Sequence, residues 1–362
     1  MSNINEIVDV TIEIESPAVG SQSFSDLLIV LPAATQAGTG SLSNVTRLAA
    51  ASELTEYGYT DSDTGYRAVA AAFAQNPGPS YIYAIARGTV TDDSGGEPVT
   101  TNESIATTLN RAIGNNVWYG FALAEATDLD LSDAATWAES NGKLFGFTWS
   151  TSACPIDVTS YDHTFAVYGG DVAVEGSAAY SAIALMAKCF SYQPGKETWA
   201  HKTLAGISPS QLTAAKITTL EGVPSNYYYR VANKNITMNG KTGSGEWIDI
   251  IRFKDWLLNE IQIQEFNYLT ANPKVPFNDD GITGVQNILE NVLRAGQTAG
   301  GIDVDRTNED TGEYEPGYKV TVPKAYEVSK EDRKLRKLRN VYFEARLAGA
   351  IHTLVIRGAL VY

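Results

Sequence analysis

The chain has 362 residues with 27 basic and 42 acidic side chains, so its formal net charge is −15. This acidity argues against nucleic acid as a partner, and the length exceeds the usual size of a single hydrophobic core. We find no apolar run of about 18 residues and no secretory leader, so we expect a protein made in a cytoplasm, without direct membrane insertion.

The cysteine and histidine content predicts neither a disulfide framework nor a metal site. The only cysteines are Cys154 and Cys189, and the three histidines are His163, His201 and His352. They are far apart in sequence, without the spacing of zinc ligands. We therefore expect reduced thiols and no bound metal or cofactor.

The N-terminal residues alternate in polarity, which is the period-2 pattern of a strand with one buried face. Val8, Val10, Ile12 and Ile14 supply the apolar positions, and acidic or hydroxyl side chains lie between them. We predict a strand there.

From Phe24 to about Tyr192, short apolar segments alternate with amphipathic ones, as in layered α/β domains. The predicted strands cover residues 25–31, 80–87, 117–124, 144–150 and 164–169. The predicted helices cover 52–75, 103–113, 132–141 and 178–190. This pattern favours an open-sheet α/β domain. This region also carries most of the net negative charge of the chain, because residues 46–200 contain 7 basic and 18 acidic side chains.

A second region begins near Trp199. We predict a strand at 227–232, a long helix around Phe253 and Ile261, and a second helix around 282–292. The second helix has cap candidates at 278–281, and we expect the stretch 299–301, A-G-G, to end it. The charged stretch 303–316 is interpreted as a solvated hairpin tip, with a strand at 318–322 after it.

A run of basic residues follows at 330–339, and two interpretations of it stay open. Its members are Lys330, Arg333, Lys334, Arg336, Lys337 and Arg339. Such runs are commonly solvated helix faces. Alternatively, Arg333, Lys334, Arg336 and Lys337 meet an acidic neighbour electrostatically.

The chain ends in an apolar segment, residues 349–362, that reads as a strand. Its apolar side chains include Ile351, Leu354, Val355, Ile356 and Leu360. An exposed apolar strand is a template for pairing with another chain, so proteins cover such an edge or use it as a joint. Either the terminal strands close the chain's own sheet, or they join it to another chain.

Several motifs that suggest chemistry fail on spacing. The stretch 240–245, G-K-T-G-S-G, looks like a phosphate loop, but Asn235 stands where the pattern needs its first glycine. No dinucleotide fingerprint, EF-hand loop or G-x-S-x-G elbow is present. We predict no catalytic residues, although a triad assembled in space and a loose calcium site in 303–315 stay open.

The second region carries a family resemblance. The run 235–257, N-I-T-M-N-G-K-T-G-S-G-E-W-I-D-I-I-R-F-K-D-W-L, resembles the core of contractile tail sheath proteins. More specifically, it resembles the short sheath family of bacteriophage and prophage tails. The resemblance continues through 271–276, 280–282, 320–323 and 347–352, and in the N-terminal third through 7–10, 27–31 and 70–80.

The resemblance implies a fold that combines α/β and α+β parts. We expect an N-terminal strand arm at 1–22, an outer open-sheet α/β domain at 23–198, an inner α+β core domain at 199–346 and a C-terminal strand arm at 347–362. It also implies that Gly240 and Gly245 form a tight turn before a helix containing Asp249 and Trp256, without a nucleotide.

The resemblance further implies a structural subunit rather than an enzyme. Such subunits stack in hexameric rings around a tail tube, exchange strands with neighbouring copies and contract. The expected partners are copies of the same chain, the tube protein, the baseplate and the tail terminator. The expected location is a virion tail or tail-like particle assembled in the bacterial host cytoplasm. The alternative is a soluble α/β enzyme whose terminal strands close its own sheet.

Overall fold

The computed structural model describes residues 23–92, 98–114, 117–151, 153–170 and 177–358. The predicted N-terminal strand, with Val8, Val10, Ile12 and Ile14, lies outside the described residues, as does Leu360. Within the described ranges, no helix combines the length and apolar character that crossing a membrane requires.

Most strands belong to one eight-stranded sheet. In chain order the first ten strands are β1 (Leu27–Leu31), β2 (Thr46–Leu48), β3 (Ile82–Ala86), β4 (Thr89–Asp92), β5 (Val99–Asn102), β6 (Gly120–Leu123), β7 (Leu144–Trp149), β8 (Thr164–Tyr168), β9 (Ser225–Val231) and β10 (Lys234–Met238). The order across the sheet is β10-β9-β8-β7-β6-β1-β3-β2. The six central strands are parallel, and β2 and β10 run antiparallel to their neighbours at the two edges. A separate hairpin joins β4 to β5.

The central strands are apolar on both faces because helices cover both faces of the sheet. Strand β1 is the sequence LLIVL and is buried throughout. Leu27, Ile29 and Leu31 pack on one side, whereas Leu28 and Val30 pack on the other. The first side holds α1 (Thr64–Phe73) and α4 (Ser181–Phe190), and the second holds α2 (Ile105–Ile113) and α3 (Asp128–Asn141). A shorter helix, α5 (Ala214–Glu221), lies against β9.

All five strands predicted between residues 25 and 169 are confirmed, and so is the mixed α/β fold. The helix predicted over 52–75 is wrong as one element. A 3-10 helix at Ala51–Tyr57 ends at Gly58, whose φ is +85°, and α1 begins only at Thr64. Helix α3 starts four residues earlier than predicted, because Thr127 and Asp130 form a capping box.

Two long helices, α6 (Ile248–Ala271) and α7 (Asp279–Ala299), pack against each other. Phe253, Leu257 and Ile261 recur at four-residue spacing and meet Leu289 and Leu293 in a third apolar cluster. The predicted start of the second helix is confirmed, since the Asn278 side chain accepts a hydrogen bond from the Gly281 N–H.

The remaining elements form two small antiparallel pairs and a short helix. They are β11 (Arg306–Thr307), β12 (Tyr314–Glu315), β13 (Tyr318–Thr321), α8 (Lys330–Leu335) and β14 (Tyr342–Ala345). Strand β11 pairs with β12, which confirms the predicted hairpin, and β13 pairs with β14.

Two buried polar clusters fix the first turns of α6 to the sheet. The first is centred on Arg252, whose side chain is fully buried and bonded to the equally buried carboxylate of Glu197. The guanidinium also donates to the carbonyl oxygens of Phe24 at 2.8 Å, Tyr192 at 2.8 Å and Cys189 at 3.2 Å. A buried guanidinium needs these acceptors to offset its lost hydration.

The second cluster lies one helical turn later. His163, just before β8, places its two ring nitrogens 3.2 Å from Glu139 and 3.1 Å from Asp255 of α6. The Tyr119 hydroxyl donates to the same Asp255 carboxylate at 2.6 Å. Burial lowers the pKa of His163, but the charges and hydrogen bonds of the two carboxylates outweigh burial and raise it to about 10. The ring is therefore an imidazolium at neutral pH.

The sheet runs across the predicted domain boundary between residues 198 and 199. Strand β9 continues the parallel sheet from β8, and β10 forms its edge. The division into outer and inner domains stays a prediction, but residues 225–238 are part of the large sheet.

Candidate intersubunit surfaces

The pair β13–β14 is a two-stranded ribbon attached to the helix pair. Tyr318, Val320, Phe343 and Ala345 lie partly buried against the α6–α7 cluster. The opposite face carries Lys319, Thr321, Tyr342 and Glu344, which are exposed. This alternation is the pattern of a sheet with one face on a core.

Among the described residues, no third strand is assigned beside β13 or β14, although just after β14 the chain forms an isolated antiparallel bridge between Leu347 and Ile302. The sheet order contains only β13 and β14. In an antiparallel pair, every second residue of each strand turns its N–H and C=O groups away from the partner strand. A two-stranded ribbon is marginally stable in water, and unpaired backbone groups make it a template for added strands. The ribbon can therefore accept a strand on either side.

The C-terminal segment, residues 349–358, is not a strand in the single chain. No regular secondary structure is assigned to these residues, and Ile351, Leu354, Val355 and Ile356 are 74–85% exposed. The predicted strand does not form among the described residues of the single chain, and its pairing with another chain stays a prediction. The physical reason is that the segment has no neighbouring strand among the described residues with which to form backbone hydrogen bonds.

Exposed apolar side chains concentrate near this end of the molecule. The large apolar residues exposed beyond residue 320 are Tyr326, Leu335, Tyr342, Leu347, Ile351, Leu354, Val355 and Ile356. Contiguous exposed apolar surface marks interaction sites in soluble proteins. Eight large apolar side chains are thus exposed between residues 326 and 356.

At the predicted tight turn, Gly240 and Gly245 have φ of +85° and +93°, and α6 begins at Ile248 shortly after it. The Asn226 side chain accepts hydrogen bonds from the N–H groups of Gly240 and Lys241 at 2.7 and 2.8 Å. The N–H of Gly243 donates to the Thr164 carbonyl at 2.7 Å. These amides already have protein acceptors, so they do not form a phosphate cradle.

Asp249 and Trp256 lie on α6, which follows this turn. Trp256 stacks on Phe253 with ring centroids 5.6 Å apart. Asp249 is in the first helical turn and lines a small cavity together with Glu197, Leu347 and Gly349. Burial, and then the Glu197 charge, raise the pKa of Asp249 to about 6.

The basic run divides into two parts. Arg333 is partly buried, donates to the Phe277 carbonyl at 2.7 Å and to the Ala325 carbonyl, and so fastens α8 to the segment between α6 and α7. Lys334, Arg336 and Lys337 are exposed. Arg333 thus has a structural role within the chain. Of the remaining members, Lys330 is also exposed and Arg339 pairs with Asp332 at 2.9 Å, and Lys334, Arg336 and Lys337 are the exposed members among the four residues predicted to make a charged contact.

Three carboxylates of the acidic hairpin at 303–315, those of Asp303, Asp305 and Glu315, are engaged by protein groups. Asp303 accepts from Arg346 at 2.8 Å, Glu315 accepts from Arg306 at 2.8 Å, and Asp305 accepts from the Gly317 N–H at 2.8 Å. In the part of the chain that the structure describes, no group of three or more His, Cys, Asp or Glu side chains is suited to a metal. The geometry does not favour the calcium site that the sequence left open.

The His163 cluster superficially resembles a catalytic arrangement, and sequence spacing alone did not reveal it. The His163 side chain is only 2% exposed, and its ring nitrogens are occupied by Glu139 and Asp255. No serine or cysteine bonds to the ring among the described residues. A buried ring without access to a substrate acts as a structural ion pair.

Comparison with known proteins confirms the resemblance to contractile tail sheath proteins. Residues 248–359 match the family model described as E217 tail sheath protein gp31-like, C-terminal domain. This stretch contains α6, α7, the ribbon and most of the C-terminal segment. A search of curated proteins found no match.

Three solved structures share the fold over nearly the whole chain. The helical sheath of the anti-feeding prophage in its contracted state has a TM-score of 0.69 at 14% identity, covering 98% of this chain and 99% of that one. A chain of the anti-feeding prophage baseplate has a TM-score of 0.67 at 15% identity, covering 98% of this chain and 99% of that one. The contracted sheath complex of the extracellular contractile injection system PVC gives 0.66 at 13% identity, covering 97% of this chain and 96% of that one.

Proposed function

We propose that this chain is the structural subunit of a contractile tail sheath, which polymerises by exchanging strands between neighbouring copies. The sheath-type fold and the matched C-terminal domain support the general role. The observation that carries strand exchange is the open-edged ribbon β13–β14 beside an exposed, unpaired apolar C-terminal segment.

In the proposed assembly, residues 351–362 of one copy add a strand to one ribbon edge of a neighbour. The N-terminal residues Val8, Val10, Ile12 and Ile14, with their alternating pattern, add a strand to the other edge. Backbone hydrogen bonds would supply affinity, and the alternate apolar side chains would reach the α6–α7 face. Ribbon stability would then depend on neighbouring copies.

The proposed higher-order assembly consists of stacked hexameric rings around a tail tube, in a virion tail or tail-like particle assembled in a bacterial cytoplasm. Head-to-tail contacts of this kind build open helical assemblies. Contraction would be a rigid-body rotation of subunits about the donated strands, which hold neighbours together during the movement. The baseplate and tail terminator would bound the polymer at its two ends.

We propose a charged contact for the exposed part of the basic run. Lys334, Arg336 and Lys337 would face an acidic surface of a neighbouring copy or of the tube protein. The chain offers such a surface itself, because residues 46–200 carry 18 acidic and only 7 basic side chains. Complementary charges of this kind set orientation and association rate more than affinity.

Removing residues 353–362 tests the strand-exchange proposal. The deletion leaves intact every contact that holds the segment up to His352, so we expect an unchanged thermal transition and circular dichroism spectrum. We also expect the purified protein to form no tubes in electron micrographs. The parent chain should form tubes under the same conditions.

The opposite outcome is equally clear. Tubes of normal length from the shortened chain would exclude the C-terminal segment as a joint. If the full chain instead sediments as a discrete monomer at every concentration and salt condition, the alternative of an α/β enzyme that closes its own sheet gains support.

A further inference from the structure

The C-terminal segment leaves the body of the protein at a cluster of two histidines. Thr198 Oγ1 lies 2.7 Å from His352 Nε2, a distance at which the hydroxyl donates to a neutral ring. The ring also meets Trp247 edge to face at 4.6 Å and His201 at 5.6 Å between centroids. Two of the three histidines of the chain therefore meet at this point.

Among the described residues, His352 is the last whose side chain contacts the rest of the protein. Before it, the Arg346 N–H donates to the Gly317 carbonyl at 2.8 Å, and the Ala348 N–H donates to the Gly301 carbonyl at 3.1 Å. After it, Leu354, Val355 and Ile356 are all at least 74% exposed. The position of His352 thus decides where the free segment begins.

The charges around the ring are predominantly positive. His201 and Lys202 face it from the connection between α4 and α5. Lys241 Nζ lies 4.8 Å from the centroid of the Trp247 ring, which packs against His352. Burial lowers the pKa of His352, and the charges of His201 and Lys202 lower it further. A proton on this ring is therefore less favourable in the docked position than in a free segment.

We propose that this cluster is a proton-sensitive joint, in which mild acid releases the root of the C-terminal segment, residues 347–352, from the body. Well above pH 6.5, the usual pKa of a histidine, the ring is neutral in both states and docking carries no penalty. As the pH falls below 6.5, the free ring gains a proton before the docked ring does. Docking weakens progressively until the pH reaches the lowered pKa of the docked ring.

One nearby group acts in the opposite direction. Asp249 lines the cavity beneath Leu347 and Gly349, together with Glu197, and has a pKa raised to about 6. Its burial penalty is relieved as the pH falls through 6, which favours the closed cavity. Asp249→Asn removes this opposing titration and leaves the histidine effect by itself.

Amide hydrogen exchange in the unassembled full chain tests the joint. We compare residues 347–352 at pH 7.5 and 5.5, corrected for intrinsic exchange rates, in the parent and in Asp249→Asn. We expect exchange at Ala348 to rise several-fold at pH 5.5, with a larger rise in Asp249→Asn. His352→Gln keeps an acceptor for Thr198 but does not titrate, so the rise should vanish.

A second measurement distinguishes titration of the ring from a structural change caused by the substitution. Proton NMR of the histidine rings, assigned with His352→Gln and His201→Gln, should give a pKa for His352 below 6.5. A pKa at or above 6.5, an unchanged exchange rate at pH 5.5, or an equal rise in His352→Gln would each overturn the proposal. Because the protein is unassembled, these results do not depend on the proposed sheath function. In a lattice, the consequence of the joint would be acid-sensitive contacts between copies.

Discussion

The sheet region, residues 23–246, and the C-terminal region, residues 302–358, use apolar side chains in opposite ways. In the sheet region, large side chains such as Trp118, Phe121 and Trp199 are fully buried. In the C-terminal region, Leu354 and Ile356 are exposed to more than 70%. The sheet region completes its own core, whereas the C-terminal region leaves apolar surface and open strand edges for another molecule. Large apolar side chains are thus buried in one region and exposed in the other, where the proposed assembly would cover them.

The largest effect should come from the helix that joins the two regions. Arg252→Met leaves the buried Glu197 carboxylate without its partner, so we expect a loss of about 3–5 kcal/mol in the free energy of unfolding by urea denaturation. Adding Glu197→Gln should recover part of this loss, because the uncompensated charge is gone. A loss below about 1 kcal/mol for Arg252→Met alone would mean that α6 is not held by this cluster.

The next effect concerns the support of the open ribbon. Leu293 of α7 is fully buried in the cluster on which β13 and β14 lie. Leu293→Ala should cost about 2–5 kcal/mol of unfolding free energy, and Leu28→Ala in the sheet should cost a similar amount. If Leu293→Ala instead leaves the unfolding free energy nearly unchanged, the α6–α7 pair is packed loosely. The incompletely packed region would then include α6 and α7 as well as the ribbon.

The substitutions with the smallest expected effect on folding stability lie in the C-terminal segment, where we expect the largest effect on assembly. Leu354→Ser with Ile356→Ser changes only exposed side chains, so the unfolding free energy should stay within about 0.5 kcal/mol of the parent. Tube formation should nevertheless be lost. The matched control is Val90→Ser with Val99→Ser in the β4–β5 hairpin, where both valines are also exposed. Equal loss of tubes in the control would remove the distinction between the two surfaces.

Local patterns in the sequence predicted the elements whose signal lies within the element itself. The buried strands and the Asn278 cap were predicted because period and cap chemistry are local properties. The break after Tyr57 was missed because the pattern on both sides is helical and only Gly58 and the turn before Asp63 interrupt it. Strand β10 was missed because its sequence was assigned to the family motif rather than to an edge strand.

Contacts between distant residues could not be predicted in the same way. His163 lies 92 residues from Asp255, and Thr198 lies 154 residues from His352. No spacing rule connects such pairs, because the topology of the sheet and the start of α6 bring them together. The apolar C-terminal segment shows that a local pattern alone is also insufficient. Its composition predicted a strand, but a strand needs a partner, and the single chain does not supply one among its described residues.

The tie at His352 also sets a length. Six described residues follow it, 353–358, and a fully extended chain spans at most about 3.3–3.6 Å per residue. The end of this described segment therefore lies no farther than about 22 Å from its root. In the proposed assembly, an acceptor edge that pairs with residues 353–358, before or after a movement, must lie inside that radius. A single side-chain contact at the surface would thus limit how far neighbouring copies can separate.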